Sequence, residues 1–284
     1  AAKERQLQEK SLWPYAWVKD SVAYPPASLR GSISGKFLIA DALKTSYNGG
    51  GAWIGVTNLA DGASNFQFEM KDYQYWIKSD ANGNFIIPNV RPGTYSFFAF
   101  VDGAVGEYRQ DNVVVTAGGV TNLGTITRTI DRTYGRLIWE IGTPNRMSDE
   151  FKLGDFDYCE GNVQNKFRDT FPNPIEYNIA ERNWSAKIPY AHTKYPDVAA
   201  IPAPGDAWKW RLNFTLPAGF STSGNARLTI AYASNDHAQQ WIYVNNENSL
   251  FTSFYPDNGD GNAFIRQANY AKYTYKQVLI PMNK

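Results

Sequence analysis

From Gly31 to Ile126 the chain is a succession of short runs rich in Val, Ile, Thr, Tyr, Phe and Trp, each soon broken by Gly, Asn, Asp or Pro. Hardly a window in this stretch carries apolar residues at the spacing of an amphipathic helix. Such a sequence can bury its apolar side chains only as strands, whose residues alternate between two faces. An all-β domain is therefore expected over residues 29–127.

Turn chemistry orders its strands. Residues 73–78 read as a strand, residues 80–84 as a turn and residues 85–87 as the returning strand, because Asn82-Gly83 can take the positive φ of a tight hairpin. Arg91-Pro92-Gly93 fits a type II turn, Pro fixing φ at the first central position and Gly supplying positive φ at the second. Residues 94–101 follow as a strand of β-formers. The expected product is a small antiparallel sandwich. Upstream, Ala1 to Lys10 has good helix formers but no apolar stripe, and Trp13-Pro14 and Tyr24-Pro25-Pro26 interrupt any helix. Residues 1–28 read as a linker.

A chain of 284 residues exceeds one typical domain of roughly 100–200 residues. Residues 128–136 read as a second linker and residues 137–284 as a second all-β domain. Its expected strands are residues 208–216, 226–232, 241–244 and 273–280, in the manner of a jelly-roll sandwich.

Bulk chemistry narrows the partners. A formal net charge of +1, with 19 % charged residues, argues against a nucleic-acid footprint or a polybasic membrane patch. No run approaches the roughly 18 apolar residues of a membrane-spanning helix. The single cysteine, Cys159, leaves no intrachain disulfide framework. Asn183-Trp184-Ser185 and Asn213-Phe214-Thr215 fit the glycosylation acceptor pattern and permit an extracellular location.

Candidates for catalysis are thin. The two histidines, His192 and His237, lie in different segments, and Asp155, Asp157 and Glu160 read as loop carboxylates beside Cys159. No catalytic residue is assigned. Asp257, Asp260 and Asn262 offer hard oxygen ligands within one loop and suit a structural calcium ion, without the spacing of an EF-hand. Sugar recognition uses the flat apolar face of an aromatic ring with polar neighbours for the hydroxyls. Strand alternation sets Trp76 with Gln74 and Lys78 on one face and Tyr73, Tyr75 and Ile77 on the other, so Trp76 reads as exposed and polar-rimmed. The same alternation puts Trp208, Trp210 and Leu212 toward a core. Lys71, Trp76, Lys78, Trp241, Tyr243 and Arg266 are the candidate carbohydrate-binding residues, the cations serving uronate carboxylates.

One stretch is too idiosyncratic for generic strand: Leu137-Ile138-Trp139-Glu140-Ile141-Gly142-Thr143-Pro144-Asn145-Arg146, followed by Glu150-Phe151. It resembles a run found in rhamnogalacturonan lyases of polysaccharide lyase family four, where the middle domain hands over to the C-terminal one. Other matches follow in order: Arg30-Gly31-Ser32-Ile33-Ser34-Gly35, Lys71-Asp72-Tyr73-Gln74-Tyr75-Trp76, Gly103 to Tyr108, Asp206 to Trp210, and Gly259 to Arg266. The segment from Asn82 to Tyr95 is also similar to transthyretin-like and fibronectin-like modules appended to secreted enzymes. The resemblance implies a fibronectin-like or transthyretin-like β-sandwich followed by a jelly-roll, carbohydrate-binding-like β-sandwich. It further implies a secreted protein acting on pectic rhamnogalacturonan I, with β-elimination in an N-terminal domain that has no counterpart here. The chain is then expected to hold sugar and act as a spacer, and to continue beyond Lys284. A stand-alone extracellular module that binds polysaccharide, or assembles with other chains through β edges, is the alternative.

Overall fold

The computed structural model describes residues 2–18, 24–46, 48–59, 73–154, 163–192, 209–221, 223–235, 238–257 and 273–284. The chain is all-β and divides into two compact units, Ala1–Arg132 and Thr133–Lys284.

Unit 1 is a two-sheet sandwich. One sheet has the order β4-β1-β7, built from β1 (Gly31–Ala40), β4 (Asn84–Val90) and β7 (Val120–Thr129). The other has the order β3-β2-β5-β6, built from β2 (Trp53–Asn58), β3 (Gln74–Lys78), β5 (Gly93–Phe100) and β6 (Tyr108–Val115). Alternation fixes what each strand buries: Ile33, Phe37 and Ile39 from β1, Ile54 and Val56 from β2, Phe85 and Ile87 from β4, Tyr95, Phe97 and Ala99 from β5. These side chains meet between the sheets as one core.

The expected hairpin between residues 73–78 and 85–87 does not form. β3 pairs antiparallel with β2, and β4 pairs antiparallel with β1, so the intervening turn carries the chain from one sheet to the other. The turn is tied to β1. Gly83 O accepts from Phe37 N at 2.8 Å, and a Cβ on Gly83 would lie 2.1 Å from Phe37 O. Gly83 also has φ +83°, which favours glycine. Asp80 closes the turn, its Oδ1 accepting from Asn82 N and Asn84 N, each at 2.8 Å. The Arg91-Pro92-Gly93 turn likewise passes between sheets, and β1 pairs with β7 in parallel, so the sandwich is not wholly antiparallel.

Residues read as a linker have structure of their own. α1 (Ala2–Leu12) is a helix with no buried residue. After it, the chain is docked onto the sandwich by Arg30, whose guanidinium lies 4.8 Å from the Trp13 ring centroid and 5.1 Å from that of Tyr24. Arg30 Nε donates to Pro25 O at 2.8 Å and Nη1 to Asn89 O at 3.2 Å. At the other end, β7 continues to Thr129, beyond the expected boundary.

Unit 2 contains three two-stranded ladders among the described residues. β8 (Ile175–Asn178) pairs in parallel with β9 (Trp210–Asn213), β10 (Asn225–Tyr232) pairs antiparallel with β13 (Thr274–Pro281), and β11 (Gln240–Tyr243) pairs antiparallel with β12 (Leu250–Phe254). Two helices, α2 (Val163–Thr170) and α3 (Trp184–Lys187), interrupt the strands. Phe167, Phe171, Ile175, Tyr177 and Ile188 form its core, with Trp210 and Leu212 packed against them. Trp210 thus faces inward as the alternation implies.

Candidate functional site

The idiosyncratic stretch at 137–151 adopts no strand. Asn145 Oδ1 accepts from Met147 N at 2.9 Å and Glu150 Oε1 accepts from Thr143 N at 2.5 Å, so its polar side chains satisfy its own backbone. Phe151 packs on Gly142, where a Cβ would meet its ring at 2.3 Å, and also lies 5.1 Å from the Trp184 ring. The Arg146 guanidinium stands 4.0 Å from the centroid of Tyr273. Ile141 and Phe151 pack against the core of unit 2.

Of the six candidate sugar-binding residues, Lys71 and Arg266 lie outside the described residues. Trp76 and Lys78 share the outer face of the β3-β2-β5-β6 sheet, while Tyr75 and Ile77 pack against the core. The register sets Lys78 opposite Trp53, and Trp76 opposite Gly55. A Cβ on Gly55 would lie 2.3 Å from the Trp76 ring, so the indole covers the Gly55 backbone; it also lies 5.9 Å from the Phe100 ring. Its Nε1 donates to Gln74 Oε1 at 3.1 Å. Trp76 therefore has a packing task on this face, and the more exposed indole beside it is Trp53, 37 % exposed. The Lys78 ammonium lies 4.6 Å from the centroid of that ring. Trp53 was not identifiable as a candidate from the sequence, because its relation to Lys78 exists only through the β2–β3 register.

Trp241 and Tyr243 lie on β11 in unit 2, paired opposite Ser253 and Leu250. Tyr243 is exposed, whereas Trp241 Nε1 is buried with no hydrogen-bond partner among the described residues. Close by in sequence, β12 and β13 bound an open groove of about 450 Å³ lined by Phe251, Thr252, Phe254, Lys276, Gln277 and Leu279. Sequence reasoning named none of these, since a groove between strands of different ladders has no local signature. Of the three proposed calcium ligands, Asp260 and Asn262 lie outside the described residues. Asp257 has its Oδ1 3.7 Å from Lys276 Nζ. The His192 ring packs 5.1 Å from that of Trp210, and His237 lies outside the described residues, as do Asp155, Asp157, Cys159 and Glu160.

Among the described residues of unit 2, Arg211 joins two carboxylates on the surface. It pairs with Glu247 and, at 2.6 Å, with Glu176; the two carboxylates hold its guanidinium pKa above the ordinary value, and Arg211 in turn lowers that of Glu247. This is an exposed network that registers β9 against β8 and the 244–249 turn.

A profile for domain II of polysaccharide lyase family 4 matches residues 49–123, and one for domain III, described as carbohydrate-binding-module-like, matches residues 137–284. The chain belongs to polysaccharide lyase family 4. Within that family it is 27 % identical over 257 residues to a probable rhamnogalacturonate lyase B of Aspergillus niger, covering 83 % of this chain and 34 % of the relative. It is 31 % identical over 218 residues to the corresponding protein of Aspergillus terreus, covering 70 % and 31 %. A rhamnogalacturonate lyase of Dickeya dadantii is 33 % identical over 153 residues, covering 53 % and 23 %. The chain spans about a third of the length of the first of these relatives. Likeness to solved structures is slight: a putative carbohydrate binding protein from Pseudomonas aeruginosa matches 37 % of this chain and 93 % of its own at 14 % identity, with a TM-score of 0.26.

Proposed function

We propose that this chain is the non-catalytic, carbohydrate-binding and spacer portion of a secreted rhamnogalacturonate lyase, with pectic rhamnogalacturonan as its polysaccharide. The observation that carries this reading is the ordered match to domains II and III of the family over residues 49–123 and 137–284. The names and lengths of the relatives support it: they are rhamnogalacturonate lyases of which this chain covers about a third. The elimination step, in which a base removes the proton beside the uronate carboxyl and the 4-linked sugar leaves, is assigned to a further domain of the lyase.

The test is the ultraviolet absorbance of the unsaturated uronate product while the purified chain is incubated with rhamnogalacturonan, alongside retention of the chain on the immobilised polysaccharide. A flat trace with retention is expected. A steady rise in absorbance would place the chemistry inside this chain and overturn the proposal.

A second reading has one observation in its favour. β12 and β13 each pair on one side only among the described residues, and their other sides bound the groove. Open strand edges are templates for pairing with another chain, so a β-assembly module is the alternative. It would show as self-association that the polysaccharide does not affect.

A further inference from the structure

The register lays out the outer face of the four-stranded sheet in rows. Lys78, Trp53 and Phe100 stand opposite one another across β3, β2 and β5, and Trp76, Gly55, Phe98 and Arg109 form the neighbouring row. The second row is closed: Phe98 is fully buried and the Trp76 ring lies on Gly55. Its cation is also compensated, since Arg109 Nε meets Asp111 Oδ1 at 2.8 Å. The first row is open at its β3 end, where Trp53 is 37 % exposed and Lys78 is exposed. Among the described residues the Lys78 ammonium meets no carboxylate; it rests 4.6 Å from the centroid of the Trp53 ring.

We propose that Trp53 and Lys78 form a subsite for a uronic acid residue of an acidic polysaccharide, in the domain II sandwich rather than in the carbohydrate-binding-like domain. The proposal deepens the sugar-binding reading above and rests on it. An indole on a sheet face offers the flat apolar surface that the C–H face of a pyranose covers, leaving the hydroxyls hydrated. A carboxylate on that pyranose then meets the ammonium. The exposed cation–π contact is exchanged for a charge-assisted hydrogen bond, the stronger of the two interactions. A neutral sugar makes the stacking contact without that exchange, so charge complementarity selects the uronate. β3 is the outer strand of its sheet, which lets a long chain cross the row without being threaded into a cavity.

Titration calorimetry of the full chain with a rhamnogalacturonan oligosaccharide, and separately with a neutral galactan oligosaccharide, tests this. Lys78→Glu and Trp53→Ala are each expected to weaken acidic-sugar binding by roughly tenfold or more, and Lys78→Arg to stay within about threefold of the parent. Raising the salt should shrink the effect of Lys78→Glu. Because Lys78 is exposed, Lys78→Glu is expected to leave the thermal unfolding profile unchanged, which separates lost binding from lost fold. Binding by the parent that neither Lys78→Glu nor Trp53→Ala alters would overturn the subsite and leave the sugar-binding function standing. A parent chain that binds no acidic oligosaccharide would overturn both. A loss on Lys78→Glu that is as large for the neutral oligosaccharide would overturn the uronate selectivity.

Discussion

Asp41 shows how much one side chain does at the end of β1. Its carboxylate is almost wholly buried, takes a hydrogen bond from Arg132 Nε at 2.9 Å, and accepts the backbone N–H groups of Leu43 and Lys44 at 3.0 and 3.1 Å. Arg132 above all, with those two amides, pulls the pKa from 3.8 down to about 2, against burial, which pushes it up. A depressed folded-state pKa means stability that is fully present above the unfolded value and lost as pH falls through the folded one. The contribution is about 2 kcal/mol, disappearing between roughly pH 4 and pH 2. Asp41→Asn should therefore lower the stability of unit 1 by about 2–3 kcal/mol at pH 7, with parent and variant converging toward pH 2, as read by urea unfolding at a series of pH values. A gap that stays constant down to pH 2 would show that another group titrates. None of this is legible in the sequence, where Asp41 and Arg132 are far apart. The outward direction of Lys78 is legible, because alternation within one strand needs no partner, whereas the Trp53 that it meets belongs to a strand whose register no local pattern states.

The same division holds for whole elements. Strand existence was readable along most of unit 1, since β-formers and turn residues are local signals. Sheet membership was not. The Asn82-Gly83 turn has the composition of a hairpin, yet the hydrogen bond from Phe37 N to Gly83 O attaches it to β1, and the strands on either side enter different sheets. Helix formers in the first ten residues do make α1, which buries nothing and so left no apolar stripe to detect. One buried cation, Arg30, lies between two rings of the segment after α1. Arg30→Ala removes two hydrogen bonds to backbone carbonyls and both ring contacts, leaving Pro25 O and Asn89 O to find other donors. The expected result is a loss of about 2–4 kcal/mol in the docking of residues 13–18 and 24–29, seen as faster amide exchange and new protease cleavage there, with the sandwich core still protected. Protection unchanged from the parent would mean that Trp13 and Tyr24 hold the segment without the guanidinium.

At the scale of the molecule, the two units differ in how they are held. Among the described residues, seventeen buried apolar side chains form the core of unit 1 and five form that of unit 2, whose strands come as separate pairs. Apolar burial is the main favourable term in folding, so on its described core unit 1 is expected to be the more stable of the two. Among the described residues the two units expose similar numbers of large apolar side chains, but unit 2 exposes more aromatic ones, Tyr134, Phe214, Tyr243, Tyr255 and Tyr275 against Trp17 and Trp53 in unit 1. Each unit has its own core, so each is expected to unfold as its own cooperative step. Calorimetry of the full chain is expected to resolve two transitions, the upper one belonging to unit 1. Asp41→Asn should lower that upper transition by roughly 8–12 °C, at about 4 °C per kcal/mol for a domain between 100 and 150 residues, and leave the lower one in place. A single transition that shifts as a whole would mean that the units are stabilised through one another. A lower transition that moves instead would mean that unit 1 is the weaker body and that its core is worth less than its burial implies.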